Sequence, residues 1–214
     1  MEKDIKLKYT VITDKTVMVC GRTLGHDHSG AAMLAEIYRA HVGDWPKFFK
    51  MDTLSKAGFL ASELLLKELC ERGAEGEEYV SGRAIVLFGA TASLCADRNY
   101  QETIQDSDNY YPSPALFVYT LPNIVTGEIA IRNHYRGETS FYVLDGYDSR
   151  SMVFHLQCAF QDSVTESVLA GWVDSTGNDD FRCFFTLLKR EDTSNPEGLE
   201  RELKGMMEIL ESNF

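Results

Sequence analysis

The sequence is short of positive charge. It has 21 Lys and Arg residues against 33 Asp and Glu, which gives a net charge of −12 at neutral pH. The nearest approach to a basic cluster is the short, interrupted series Lys3, Lys6 and Lys8. Nucleic acids and anionic membranes both bind basic surfaces. The composition therefore argues against either of them as a partner.

Long apolar runs are missing as well. The longest uncharged, mostly apolar segment covers residues 84–96 and is flanked by Arg83 and Asp97, whereas a membrane-spanning helix needs about 20 residues. The first four residues, MEKD, carry charges of both signs and lack the apolar core of a signal peptide. We expect neither a transmembrane segment nor a secretory leader.

The cysteines follow no disulfide or metal-binding pattern. They are odd in number and widely spread, and no Cys-x-x-Cys pair occurs among them. Three lie in apolar stretches, where an unpaired cysteine packs as a small hydrophobic residue. These features indicate a reduced, cytoplasmic protein. The five residues are Cys20, Cys70, Cys95, Cys158 and Cys183.

What the sequence does contain is an alternation of strand and helix patterns. Residues 83–89 form an apolar run that is too short for a helix and predicts a strand buried on both faces. Amphipathic helix patterns begin near Ser29, Asp52, Asn123, Ser149 and Asn195. Residues 168–173 and 181–189 predict two strands joined by a turn at 174–179. The alternation predicts an α/β fold in a single domain spanning residues 1–214.

The motif His26-Asp27-His28 is the candidate metal site. Two imidazoles two residues apart can share a metal only in an extended loop, and His41 or Asp52 would have to supply a third ligand. A polar loop between a strand and a helix explains the same residues. We therefore predict no metal and no other cofactor.

Cys158 is the candidate nucleophile, because a histidine lies close to it in the sequence. It lies three residues after His155, so both side chains share one face of the predicted helix over 149–160. A reactive thiolate needs a helix N-terminus or a cation beside it, and a position in the middle of a helix provides neither. We expect Cys158 to be an ordinary core cysteine.

Three segments share their pattern with one enzyme family. KMDTLSKAGFLA at residues 50–61 is similar to R-M-D-x-x-S-K-L-A, and SPALFVYTLPN at residues 113–123 is similar to S-P-x-x-F-x-x-S-x-x-N. The third runs from Asn123 through Gly127 to GETS at residues 137–140. With residues 17–21 as the opening strand, the chain resembles the N-terminal half of β-ketoacyl synthases. The resemblance is greatest to the short stand-alone forms associated with aryl-polyene and related pigment clusters.

The resemblance implies half of a thiolase-like α/β fold: a mixed, mostly five-stranded sheet between helices, with an extra C-terminal hairpin and helix. It also implies that the nucleophilic cysteine of active members would stand at Gly146, or at Tyr147 with a one-residue slip. No cysteine lies between Ser140 and Gln157. The family's catalytic histidines and lysine belong to a C-terminal half with no counterpart in this sequence. Since acyl condensation needs a thiolate and oxyanion stabilisation, we expect no catalytic residue.

The same resemblance implies a dimer. The predicted strand over 139–144 would pair with its mate across a two-fold axis, because its edge and both of its faces need cover. The mate would be a second copy or an active ketosynthase, and the net charge makes contact with an acidic acyl carrier protein indirect. The expected interface residues are Thr139, Phe141, Tyr142, Val143 and Leu144. The expected lining of an acyl cavity is Phe117, Asn123 and Asp145.

A glycine inside a predicted helix calls for a structural reason. Gly127 lies among isoleucines in the helix that starts at Asn123, where glycine costs about 1 kcal/mol relative to alanine. We predict that another backbone approaches closely at this position.

Our leading hypothesis is a non-catalytic, ketosynthase-like subunit in fatty-acid or polyketide-type acyl chain synthesis, which acts by association like a chain length factor. One alternative is a stand-alone enzyme using other residues, either related to 3-oxoacyl-carrier-protein synthases or metal-dependent. Another is a scaffold or binding protein without acyl chemistry. Metal analysis separates the enzyme from the other two, and co-purification with a ketosynthase separates the subunit from the scaffold.

Overall fold

A mixed β-sheet runs through the computed structural model, which describes residues 5–71, 79–108 and 110–213. In these residues seven strands form the sheet. They are β1 Tyr9–Thr13, β2 Val17–Val19, β3 Arg22–Thr23, β4 Arg83–Gly89, β5 Thr139–Val143, β6 Ser167–Gly177 and β7 Asp180–Lys189. The helices are α1 Gly30–His41, α2 Thr53–Leu69, α3 Leu94–Glu102, α4 Pro114–Val118, α5 Ile124–Asn133, α6 Ser149–Ala159 and α7 Pro196–Ser212. Two 3-10 helices cover Pro46–Lys50 and Arg190–Ser194.

The strand order is β3-β2-β1-β7-β6-β4-β5. Strands β4, β5 and β6 run parallel, and β7 runs antiparallel to both of its neighbours. Five strands therefore make the main sheet, as expected, and the short β2 and β3 extend it to seven. The C-terminal hairpin is not an addition, however, because β6 and β7 form the middle of the sheet.

Helices cover both faces, which confirms the prediction from the apolar run at 83–89. Every residue of β4 is buried. Ile85 and Leu87 point into a core with α1, α2 and α5, whereas Val86 and Phe88 point into a second core with α6 and α7. A strand in this position must be apolar on both sides, so the unbroken run follows from its place in the sheet.

Side-chain caps fix the starts of two predicted helices. The carboxylate of Asp52 accepts a hydrogen bond from the Ser55 amide at 3.0 Å, and α2 begins directly after it. The side chain of Asn195 accepts from the Gly198 amide at 2.9 Å, with a proline in the first position of α7. The segment GAEG at residues 73–76, which from the sequence predicts the end of this helix, lies outside the described residues.

The prediction of a close approach at Gly127 is wrong. A Cβ at Gly127 would meet no atom within 4 Å. The tight glycine is Gly58 of α2, where a Cβ would stand 2.6 Å from Cγ2 of Val125 on α5 and 3.5 Å from the ring of Phe185. The helices α2 and α5 therefore cross at Gly58, and Gly127 lies on the other side of α5.

Candidate functional site

The candidate site lies at the carboxyl ends of the three parallel strands. In open α/β sheets this edge is where ligands and catalytic groups gather. Here it carries the loop from β4 into α3, the turn over residues 144–148 that leads from β5 into α6, and the part of β6 around Asp174.

The expected nucleophile position falls in the turn before α6. Gly146 is exposed, and Tyr147 is half-buried with its ring 5.4 Å from that of Trp172. Burial, with a further contribution from Glu200, raises the pKa of the Tyr147 hydroxyl. A neutral phenol packed on an indole cannot replace a thiolate, so neither residue supplies the missing nucleophile.

A carboxylate occupies the N-terminus of α6. Asp148 accepts hydrogen bonds from the amides of Arg150 and Ser151 at 3.0 and 3.3 Å, and from the Ser151 hydroxyl at 2.6 Å. These bonds, that of the Ser151 hydroxyl first, hold the pKa of Asp148 below its usual value. Helix N-termini stabilise one negative charge well. Because Asp148 is already there, a thiolate or oxyanion at this helix end would be repelled.

A second carboxylate, that of Asp174, forms hydrogen bonds at the same edge of the sheet. The sequence predicts a turn at this residue. Asp174 is buried inside β6. Its Oδ1 accepts from the amides of Ala90 and Thr91 at 2.7 and 2.9 Å and from the Thr91 hydroxyl at 3.0 Å. Its Oδ2 accepts from Nε1 of Trp172 at 2.7 Å. Asp174 thereby ties the loop after β4 to the central strand.

The pair of Cys158 and His155 forms no catalytic contact in the described residues. The imidazole of His155 stacks on the ring of Tyr142 with 4.0 Å between centroids. Cys158 lies in the last turn of α6, half-buried, and no hydrogen bond joins it to His155. The geometry agrees with a packed cysteine and gives His155 a structural role beside β5.

The loop of His26 and His28 docks on α1. Nδ1 of His28 lies 2.8 Å from Oε2 of Glu36, and the amide of Asp27 donates to Oε1 of the same carboxylate at 3.0 Å. Nδ1 of His26 lies 2.7 Å from the carbonyl oxygen of His28. Within the described ranges, no three His, Cys, Asp or Glu side chains come together as a metal site requires.

Strand β5 is one of the two edge strands of the sheet. It pairs with β4 on one side, and no described strand pairs with the other. The Leu144 amide donates to the Gly89 carbonyl, and the Glu138 carbonyl accepts from the Ile85 amide. Successive residues of a strand direct their backbone groups to alternate sides. The even-numbered residues therefore bond to β4, and the others direct their N–H and C=O groups outward. These outward residues are Thr139, Phe141 and Val143.

The predicted interface residues divide between the two faces of this edge. Phe141 packs on the core beneath α2 and α5, and Tyr142 and Leu144 pack on the core beneath α6. Thr139 and Val143 are exposed, Val143 to 55%. The strand is thus anchored on both faces while its edge remains accessible.

The segment from the start of α3 to the start of α5 exposes several large apolar side chains. They are Leu94, Tyr110, Tyr111, Leu116, Phe117, Val118 and Leu121. Large exposed apolar patches mark interaction surfaces in soluble proteins.

The three expected acyl-cavity residues lie on different elements. Phe117 is exposed on α4 with its ring 5.4 Å from that of Tyr100. Asn123 precedes α5 and accepts bonds of its first turn through its carbonyl oxygen. Asp145 is exposed in the turn after β5. Their assignment to a common cavity stays a prediction.

None of the described helices is both long and apolar enough to cross a membrane.

No protein-family model and no curated protein matches the chain. Solved structures do. The ishigamide ketosynthase/chain length factor superposes with a TM-score of 0.61 at 13% identity, over 87% of this chain and 62% of that one. The ketosynthase ApeO in complex with its chain length factor ApeC from Xenorhabdus doucetiae gives 0.50 at 13% identity, over 86% and 80%. A β-ketoacyl synthase from Burkholderia phymatum gives 0.50 at 17% identity, over 72% and 47%.

The chain thus spans less than two-thirds of the first of these structures. At this level of identity the likeness concerns the fold alone, and it bears out the fold that the three sequence segments imply. The chain has a fold similar to part of these ketosynthase and chain length factor structures.

Proposed function

We propose that this protein is a non-catalytic, ketosynthase-like subunit of fatty-acid or polyketide-type acyl chain synthesis. It acts in the cytoplasm by associating with an active ketosynthase, as a chain length factor does. The observation that carries the proposal is the passage from β5 into α6. Its strand edge is open for a partner, while the helix terminus behind it lacks a cysteine and carries the carboxylate of Asp148.

The backbone of β5 favours one particular pairing. Thr139, Phe141 and Val143 direct their N–H and C=O groups outward, as derived above from the bonds to β4. An antiparallel mate related by a two-fold axis at Phe141 would use all three residues, with Thr139 opposite Val143 and Phe141 opposite its counterpart. On the other face Ser140 would lie opposite Tyr142, a small side chain against a large one. The pairing sets no like charges against each other within residues 139–143.

Exposed apolar side chains flank the strand on both layers. Phe154 is 61% exposed on α6, and Ile131 is exposed on α5. Both helices pack beside β4, and α5 also contacts β5. A partner sheet that continues from β5 would bring its own helices against these layers, which supports an interface larger than the strand alone.

The partner that fits this edge is an active ketosynthase, or a second copy of this chain when the protein is isolated. The fold supports this choice, since one of the similar structures is a ketosynthase bound to its own chain length factor. A net charge of −12 opposes direct docking of an acidic carrier protein, so carrier contact would run through the ketosynthase.

The test uses two prolines in neighbouring positions of β5. Val143→Pro removes an outward N–H and leaves the bonds to β4 intact, so we expect a folded chain that no longer dimerises or co-purifies with a ketosynthase. Tyr142→Pro removes a bond to β4 and should destabilise the fold itself. Val143→Ala keeps the outward N–H and should still associate. Light scattering, circular dichroism and co-purification measure the three variants.

A folded Val143→Pro variant that still associates would disprove the edge pairing.

The lack of catalysis is tested separately with an acyl thioester. We expect no acyl group on Cys158, because it lies in the last turn of α6, away from the helix N-terminus that would stabilise a thiolate. Rapid, selective acylation of Cys158 would contradict the non-catalytic assignment even if the dimer forms as proposed.

A further inference from the structure

A cleft far from the β5 edge combines positive charge with apolar walls. It lies between the β2–β3 hairpin, the end of α1 and the second half of α2, and it has a volume of about 460 Å³. This size falls within the range of about 300–1,000 Å³ typical of small-molecule sites. Its apolar lining consists of the half-buried Leu24 and of the nearly buried Val19 and Leu64.

The charges of the cleft are unusual for an acidic protein. Arg22, His41 and Lys67 converge there with a single acid, Glu68. Glu68 is already engaged, because Nη2 of Arg22 lies 3.1 Å from its carboxylate. The cleft therefore carries a net positive charge in a chain whose total is −12.

Capping of α1 accounts for only part of this arrangement. Nζ of Lys67 donates to the carbonyl oxygen of His41 at 2.9 Å, which satisfies a backbone acceptor at the C-terminus of α1. The ammonium group has two further N–H bonds. The imidazole of His41 is half-buried, and no hydrogen bond to its ring occurs in the described residues. Burial, then Lys67 and Arg22, lower the pKa of His41, as expected in a site of positive potential.

We propose that this cleft binds a small carboxylate with an apolar tail. The carboxylate would accept hydrogen bonds from Lys67 and from the His41 ring, and the tail would lie on Leu24. The charge-assisted bonds supply orientation, and the apolar walls supply burial. The proposal is independent of the association through β5, because the two features share no residue.

The probe is octanoate, and the readout is the NMR titration of the histidines. Bound octanoate places a negative charge beside His41, so we expect the His41 pKa to rise on saturation. The four other histidines serve as internal references within each spectrum. They are His26, His28, His134 and His155.

Substitutions identify the charges that bind. Lys67→Met and Arg22→Met keep the aliphatic stems and should each weaken octanoate binding, Lys67→Met by about ten-fold. Lys50→Met, in an exposed lysine outside the cleft, is the matched control and should bind like the parent protein. Circular dichroism verifies folding, and Arg22 on the exposed strand β3 supplies a usable variant if Lys67→Met is unstable.

Three results would overturn the proposal. An absent His41 response, or an equal response of all five histidines, means that octanoate does not bind in the cleft. An equal response to inorganic phosphate means that the apolar walls contribute nothing. Equal affinity for octanol means that the carboxylate is not recognised.

Discussion

Replacing Asp174 tests how the edge of the sheet is held together. This buried carboxylate receives four hydrogen bonds, three of them at one oxygen from the loop after β4 and one at the other oxygen from the Trp172 indole. In Asp174→Asn the amide can keep its oxygen toward the loop, but its NH₂ group then faces the N–H of Trp172. Two donors meet, and the indole loses its acceptor.

The magnitude follows from these bonds. A buried donor without a partner costs about 1–3 kcal/mol, and a bond to a charged group is worth about 1.5–3 kcal/mol. We expect Asp174→Asn to lower the free energy of unfolding by about 2–4 kcal/mol, which in a chain of this size lowers the melting temperature by roughly 5–15 °C. Asp174→Ala leaves all four hydrogen-bond donors without their acceptor. Its cost of at least about 4 kcal/mol approaches the whole stability of a typical domain.

The assay is urea unfolding, read together with a double-mutant cycle. Trp172→Phe removes the indole N–H, so Asp174→Asn should cost about 1–2 kcal/mol less in that background than in the parent. Asp145→Asn, in the exposed turn at the same edge, is the control and should stay within about 0.5 kcal/mol of the parent. An unfolding free energy of Asp174→Asn within about 0.5 kcal/mol of the parent value, or equal costs in both backgrounds, would refute the reasoning.

Three further outcomes follow from packing, capping and burial. Gly58→Ala should destabilise the protein by about 1–3 kcal/mol through overpacking, whereas Gly127→Ala should stabilise it by up to about 1 kcal/mol. Thermal melts measure both variants. A Gly58→Ala variant that is more stable than Gly127→Ala would mean that α2 and α5 do not cross at Gly58. Asp148→Ala should cost about 1 kcal/mol. Because the pKa of Asp148 is lowered in the folded chain, the part of this cost that comes from the carboxylate's charge should be complete above about pH 4 and be lost as the pH falls through the lowered pKa. A pH-independent difference in unfolding free energy would contradict it. Exposed Cys70 should react readily with iodoacetamide, whereas burial raises the pKa of Cys183 and should protect it until the protein unfolds; mass spectrometry of the labelled chain checks this.

The sequence alone predicts the elements whose cause is local. Capping residues sit directly before α2 and α7, so Asp52 and Asn195 mark those starts. The unbroken apolar run of β4 reflects burial on both faces. The cap of α6 was equally readable, because Asp148 stands immediately before the predicted start at Ser149.

Long-range contacts decide what the sequence does not predict. Asp174 is polar and stands before a run of turn-forming residues, so its place inside β6 depends on a loop more than 80 positions away. Gly58 and Gly127 look alike along the chain, and only the crossing of α2 and α5 distinguishes them. The central position of the C-terminal hairpin likewise depends on which strands become neighbours.

The two features behind the proposed function come from one short stretch of chain. Thr139 to Val143 contain no charge, so nothing along β5 opposes the approach of another strand. The residues that follow carry negative charge. Asp145 is exposed, and Asp148 accepts hydrogen bonds from the amides at the start of α6. Association needs an uncharged edge, and an acyl-accepting thiolate needs an unoccupied helix terminus. The stretch keeps the first and lacks the second, which is what the proposed function expects of this part of the chain.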